Sequence, residues 1–235
     1  MSRIGTEKAR YYDCEYRRLL RAAHMGWGGT TYPDRLAGWR KGLMHFQKFA
    51  EFPRPPARVL EVGCGNGLPS QLLATAGYEV IGIDISKVAV GWARTEFQRL
   101  GLKGYFSMGD VCCIDLPEKY IDLVVDGNCF HYVCGSERRT AVEEVRRVLR
   151  PGGFFLLSSM CGPPKAEEKL RSYDPRTHIL SGNGKMPRYI PPVECLLLEL
   201  AEGGFIPRRQ LLNRHPWWDH LWVLAEKVGT DATST

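Results

Sequence analysis

Val59-Leu60-Glu61-Val62-Gly63-Cys64-Gly65-Asn66-Gly67 joins an apolar strand to three alternating glycines, and a helical pattern starts at Leu68. Glycines at that spacing let the chain turn tightly at the carboxyl end of a strand and bring its backbone against a ligand. The helix amino terminus adds oriented amides. Dinucleotide-binding turns share the spacing, but they place Gly or Ala where this chain has Leu68. Glu61, two residues before the first glycine, suits a ligand with an ammonium group better than a pyrophosphate.

Outward from this turn, strands and helices alternate. Apolar runs predict strands over residues 57–63, 78–84, 104–108, 121–126 and 153–159. Helical periodicity predicts helices over 68–76, 86–100 and 136–149, the last with Val142, Val145, Val148 and Leu149 in one stripe. Such alternation gives a parallel sheet covered on both faces. Ahead of it, residues 7–23 and 33–49 read as amphipathic helices separated by Gly26-Trp27-Gly28-Gly29-Thr30, and Pro53-Arg54-Pro55-Pro56 reads as a stiff connector. Behind it, residues 161–192 carry six prolines and read as an irregular insertion with a helical patch at 165–172. A helix at 193–202 and strands at 205–213 and 218–226 close the pattern. The expected organisation is an amino-terminal helical arm, 1–56, and an α/β domain, 57–229, interrupted by the insertion.

Composition excludes several classes. With 44% apolar and 25% charged residues the chain is neither disordered nor collagen-like, and no run of 18 apolar residues offers a membrane span. Met1-Ser2-Arg3-Ile4-Gly5-Thr6-Glu7-Lys8 lacks the apolar core of a signal peptide. The cytoplasm is therefore the expected compartment, with the eight cysteines reduced. None forms a Cys-x-x-Cys pair, and Cys129-x-His131-x-x-Cys134 has no second cluster to complete a zinc set, so no metal is expected. The net charge of +6 belongs to residues 1–58, which hold 12 Lys and Arg against 5 Asp and Glu. That arm reads as a solvated helical face, or as a surface for an anionic substrate or nucleic acid.

Three further strand ends carry chemistry. Val80-Ile81-Gly82-Ile83-Asp84-Ile85-Ser86 sets Asp84 beside the glycine turn, Met108-Gly109-Asp110-Val111 sets Asp110 at the same edge, and Asp126-Gly127-Asn128-Cys129-Phe130-His131-Tyr132 follows the fourth strand. Open α/β sheets bind ligands at that edge, although Asp84 could simply cap a helix and Asp110 could hold a turn. With Arg147-Val148-Leu149-Arg150-Pro151-Gly152-Gly153-Phe154, these stretches resemble, in order and spacing, the class I S-adenosylmethionine-dependent methyltransferases over residues 57–160. The resemblance implies a doubly wound, Rossmann-like α/β fold with a seven-stranded, mostly parallel sheet and an antiparallel last strand. It implies S-adenosylmethionine as cofactor and in-line transfer of its methyl group. Glu61, Gly63, Cys64, Gly65 and Gly67 would form the glycine-rich cofactor motif. Asp84 with Ile85 would meet the ribose, Asp110 with Val111 the adenine, and Asn128 would line the crevice. His131, in the same stretch, is the candidate base, serving either catalysis or packing.

Absences narrow the acceptor. No Asn-Pro-Pro-Tyr or Asp-Pro-Pro-Tyr follows strand four, and Ser158-Ser159-Met160-Cys161 stands where metal-dependent members place acidic ligands. DNA and metal are therefore not expected. The implied acceptor is a small molecule methylated on O, N, S or C. A tRNA, a protein side chain, a non-catalytic S-adenosylmethionine-binding subunit and a nicotinamide-dependent oxidoreductase remain as alternatives. The arm and the insertion are expected to cover the carboxyl edge, with Tyr12, Trp27, Tyr32, His131, Tyr173 and Tyr189 facing the acceptor and Arg188 available for an acidic group. No membrane partner is expected, and the chain is expected to be a monomer or a homodimer.

Overall fold

Strand β1 (Arg58–Val62) lies inside the sheet, paired in parallel with β2 (Glu79–Asp84) on one side and β4 (Ile121–Asp126) on the other. The computed structural model describes residues 3–182 and 184–229. Beyond β2 lies β3 (Tyr105–Met108), and beyond β4 lie β5 (Leu149–Cys161), β10 (Asp219–Lys227) and β9 (Phe205–Asn213), giving the order β3-β2-β1-β4-β5-β10-β9. Strand β10 runs antiparallel to both β5 and β9. The fold is the doubly wound, seven-stranded one expected. Register aligns Val62 with Ile83 and with Asp126, and Asp84 with Met108. The glycine turn, Asp84, Asp110 and the loop after β4 therefore share one edge.

Alternation along each strand builds two cores. Leu60, Val62, Val124, Leu157, Leu221 and Val223 face α5 (Glu137–Val148) and α7 (Val193–Glu202). Val59, Leu123, Val125, Leu156 and Leu224 face the opposite side, with α3 (Leu68–Thr75), α4 (Lys87–Arg99) and α2 (Tyr32–Phe46). Helix α2 buries Trp39, Leu43 and Phe46 there. Gly42 lets it approach, since a Cβ would lie 2.7 Å from the Trp222 ring. Trp222 is thus a packing residue, stacked edge-on with Trp39 at 4.6 Å. Helix α1 (Arg3–Arg21) instead packs on α4, through Tyr16 and Leu19 against Ala89 and Trp92. Asp13 fixes the contact by accepting from Ser86 Oγ (2.6 Å) and Val88 N (3.2 Å). The two arm helices are therefore bound into different layers of the α/β unit.

The insertion differs from expectation. After the short α6 (Glu167–Leu170), strands β6 (Tyr173–Asp174), β7 (Ile179–Gly182) and β8 (Lys185–Tyr189) form a small antiparallel sheet. Runs this short, with Pro187 inside the longest, leave no readable alternation. Strand β5 likewise starts earlier than expected because Pro151-Gly152-Gly153 reads as a turn, although the backbone there is already extended. No helix among the described residues is long and apolar enough to cross a membrane.

Candidate functional site

The glycine turn holds Gly63, Gly65 and Gly67 at φ of 66°, 55° and 78°, a region side chains avoid. A Cβ on Gly63 would lie 2.2 Å from that of Cys129, and one on Gly65 2.5 Å from Tyr16 Oη. Backbone bonds shape the turn: Cys64 N donates to Ile83 O (2.9 Å) and Gly67 N to Cys64 O (2.7 Å). Gly67 faces Ala93 and Phe97, so it serves the packing of α3 rather than the cleft.

Glu61 reaches beneath the turn because it shares the α3 side of β1 with Val59. Its Oε2 accepts from Ser70 N (2.9 Å) and Ser70 Oγ (2.5 Å), which caps α3. Its Oε1 is buried and has no partner among the described residues. Burial pushes the Glu61 carboxyl up to about 8, against the pull of the Ser70 bonds. Asp84 ties β2 to the turn, accepting from Gly65 N (2.9 Å) on one oxygen and Ser86 N (2.8 Å) on the other. Each oxygen keeps a lone pair for a further donor. Burial raises this carboxyl to about 6. Asp110 accepts from Cys112 N (2.9 Å). Asp126 is turned inward, where it accepts from Cys129 N (2.7 Å) and Phe130 N (3.1 Å) and so folds the loop after β4.

These groups border one cleft open to solvent. Of the expected residues, Tyr12, Trp27, Glu61, Gly63, Cys64, Gly65, Asp84, Ile85, Asp110, Val111 and Asn128 line it. Asn128 offers little polarity to the cleft. Its amide donates to Ser158 Oγ (2.9 Å) and accepts from Trp39 Nε1 (3.2 Å), while Ser158 Oγ also lies 2.9 Å from His220 Nε2. Much of the remaining wall is aromatic: Tyr12, Tyr16 and Trp27 from the arm, with the Tyr16 hydroxyl over Gly65, Trp39 from α2, and Tyr132. Tyr12 meets the Trp27 ring at 5.8 Å and the Tyr132 ring at 5.7 Å.

Besides Gly67, five expected residues lie elsewhere. His131 is 2% exposed and sits behind Tyr132, ring to ring at 4.4 Å. The turn at 130–132 points Phe130 and His131 inward and leaves Tyr132 on the cleft wall. Burial, then His220 and Arg188, hold the His131 pKa well below the ordinary imidazole value. Tyr32 is buried in the α2 core, where its hydroxyl accepts from Asn66 Nδ2 (3.4 Å). Tyr173 belongs to the small sheet, donating to Ile190 O (3.2 Å). Tyr189 lies under the Arg138 guanidinium at 4.3 Å, and Arg138 is itself held by Glu199 and by Phe130 O. Arg188 lies 5.5 Å from the outer face of Tyr132 and 5.7 Å from the Trp218 ring. Sequence reasoning missed Tyr16, Arg35, Trp39 and Tyr132. Tyr16 and Trp39 follow helical periodicity and read as core residues, and Arg35 carries no motif.

Residues 60–157 match a family described as "Methyltransferase domain". A botryococcene C-methyltransferase of Botryococcus braunii is 34% identical over 141 residues, which is 55% of this chain and 36% of that protein. A demethylmenaquinone methyltransferase of Thermus thermophilus is 29% identical over 176 residues, 68% of this chain and 79% of that one. The chain thus spans little more than a third of the algal relative. A crystal structure of a SAM-dependent methyltransferase from Methanosarcina mazei superposes with a TM-score of 0.67 at 22% identity, covering 79% of this chain and 97% of that one.

Proposed function

We propose, from the premise that the chain belongs to the class I S-adenosylmethionine-dependent methyltransferases, that it moves the methyl group of S-adenosylmethionine to an O, N, S or C atom of a small-molecule acceptor. The observation that carries this reading is one continuous cleft with two chemically different ends. At one end stand the glycine cradle, a buried Glu61 oxygen without a partner, and Asp84 with acceptor capacity on both oxygens. That set fits a ligand with an ammonium group and vicinal hydroxyls. On the β4 side, Trp39 and Tyr132 give an aromatic wall that suits an acceptor body. Relatives named for botryococcene and demethylmenaquinone support a small molecule over a macromolecule.

When bound, the cofactor supplies a methyl group already activated on a sulfonium. The chain's own work is alignment and the exclusion of water, which can supply most of the acceleration. Gly63 and Gly65 bring the backbone to the cleft wall while Cys129 and Tyr16 pack against them, Asp84 and Asp110 hold the nucleoside end, and Tyr12, Tyr16 and Trp27 close the cleft above it. His131 stands behind this wall, and the reading needs no base from it. We place the protein in the cytoplasm, where its eight free cysteines stay thiols.

Cofactor affinity should depend on pH. A Glu61 carboxyl near 8 is mostly neutral at pH 7, while an ammonium partner favours its charged form. Affinity for S-adenosylhomocysteine is therefore expected to rise between pH 6 and 8, by up to about tenfold per unit, and to level off above. Calorimetry in buffers of different ionisation enthalpy should register a proton released on binding at pH 7. Glu61→Gln should abolish that release, and an unchanged release in the variant would leave Glu61 a purely structural cap. The reaction itself is tested by incubating the protein with isotopically labelled methyl donor and cell extract. Label is expected in the metabolite fraction. Label confined to RNA or protein would overturn the small-molecule acceptor, and a cofactor-bound protein that labels nothing would be a binding subunit.

A further inference from the structure

Arg35 stands apart from the other ionised groups of the cleft. Lys8 is paired with Glu137, Asp84 accepts from two backbone amides and Asp110 from one. Arg35 lines the same cleft from α2, one helical turn before Trp39. Its stem crosses Gly28, where a Cβ would lie 2.6 Å from Arg35 Cδ. It makes no hydrogen bond or ion pair among the described residues. Its titratable neighbours are the hydroxyls of Tyr16 and Tyr132, and desolvation lowers its pKa. Its positive field falls on His131 and His220 as well, and neither is an anion.

Arg35 is partly buried, and a cation drawn even partly out of water without a counter-charge is costly. A site keeps one where a ligand brings the anion, and a guanidinium suits a carboxylate because its fork can bind both oxygens. Arg35 lies toward the β4 side of the cleft, with Tyr16 neighbouring both it and Asp84. Asp84 ends β2 and Asp110 follows β3, whereas the histidines that feel Arg35 follow β4 and lie on β10. Around it stand Tyr16, Tyr132 and Trp39. We propose that the methyl acceptor is a carboxylic acid with an aromatic or other flat apolar body, its carboxylate paired with Arg35 and its body held between Trp27, Trp39 and Tyr132. This rests on the methyl-transfer reading above.

The cofactor has a carboxylate of its own, so the test separates the two sources. Protein saturated with S-adenosylhomocysteine is titrated with benzoate and with benzamide, as wild type, Arg35→Leu and Arg35→Lys. Benzoate is expected to bind roughly tenfold or more tightly than benzamide, Arg35→Leu to erase that preference, and Arg35→Lys to restore part of it. Arg35→Leu should leave affinity for S-adenosylhomocysteine within about threefold of wild type. Equal binding of benzoate and benzamide by the wild type would overturn the proposal. So would a variant that loses S-adenosylhomocysteine but keeps 5′-methylthioadenosine, which lacks the amino-acid end, because Arg35 would then serve the cofactor. If the wild type bound no S-adenosylhomocysteine yet kept an Arg35-dependent benzoate preference, the methyl-transfer reading would fail while the carboxylate site stood.

Discussion

Asp84→Ala is expected to weaken binding of S-adenosylhomocysteine by about 3 kcal/mol, roughly a hundredfold in Kd. Two losses add. The ligand's hydroxyls lose a charged acceptor, and Gly65 N and Ser86 N lose the oxygens they donate to at 2.9 and 2.8 Å. The second loss loosens the glycine turn itself, because Asp84 is its tie to β2. Near-ultraviolet circular dichroism and a denaturant titration would establish that the variant is folded before its affinity is compared. Unchanged affinity in a folded Asp84→Ala protein would remove Asp84 from the cofactor site.

Tyr16→Ala should release α1 from the rest of the molecule. Tyr16 is buried between the Trp27 ring at 5.1 Å and the Trp92 ring at 6.3 Å, with its hydroxyl over Gly65. Truncating a buried aromatic costs about 3–5 kcal/mol. Helix α1 is held by Tyr12, Tyr16, Leu19, the Asp13 bonds and the Lys8–Glu137 pair, none of them part of the sheet, so that cost should appear as local opening rather than global unfolding. Native-state hydrogen exchange is expected to show α1 amides losing protection by a hundredfold or more (about 3 kcal/mol), with β1 and β4 amides little changed. Cofactor affinity should fall with it, and Tyr16→Phe should retain most of the docking. Unchanged α1 protection in Tyr16→Ala would mean that this cluster does not hold the helix.

Much of this architecture is legible in the chain because it is locally encoded. The apolar run before Gly63 and the stripe Val142-Val145-Val148 each name their own element, and Asp84 and Asp110 sit at strand ends that topology must bring to one edge. The aromatic part of the cleft is less legible because it is assembled from distant parts. Trp39 is on the wall because Gly42 lets α2 close on Trp222, a contact across 180 residues of sequence. His131 and Tyr132 are neighbours whose roles are decided by a single turn at 130–132, and no pattern in seven residues of loop says which ring faces inward. Tyr173 and Tyr189 read as lid residues since the strands that hold them are too short to show alternation.

The most direct test of the central claim is calorimetric titration of the protein with S-adenosylhomocysteine and, separately, with NAD. The account predicts one S-adenosylhomocysteine bound per chain, displaced by S-adenosylmethionine and weakened in Asp84→Ala, with no heat from NAD. Binding of NAD without binding of S-adenosylhomocysteine would contradict it.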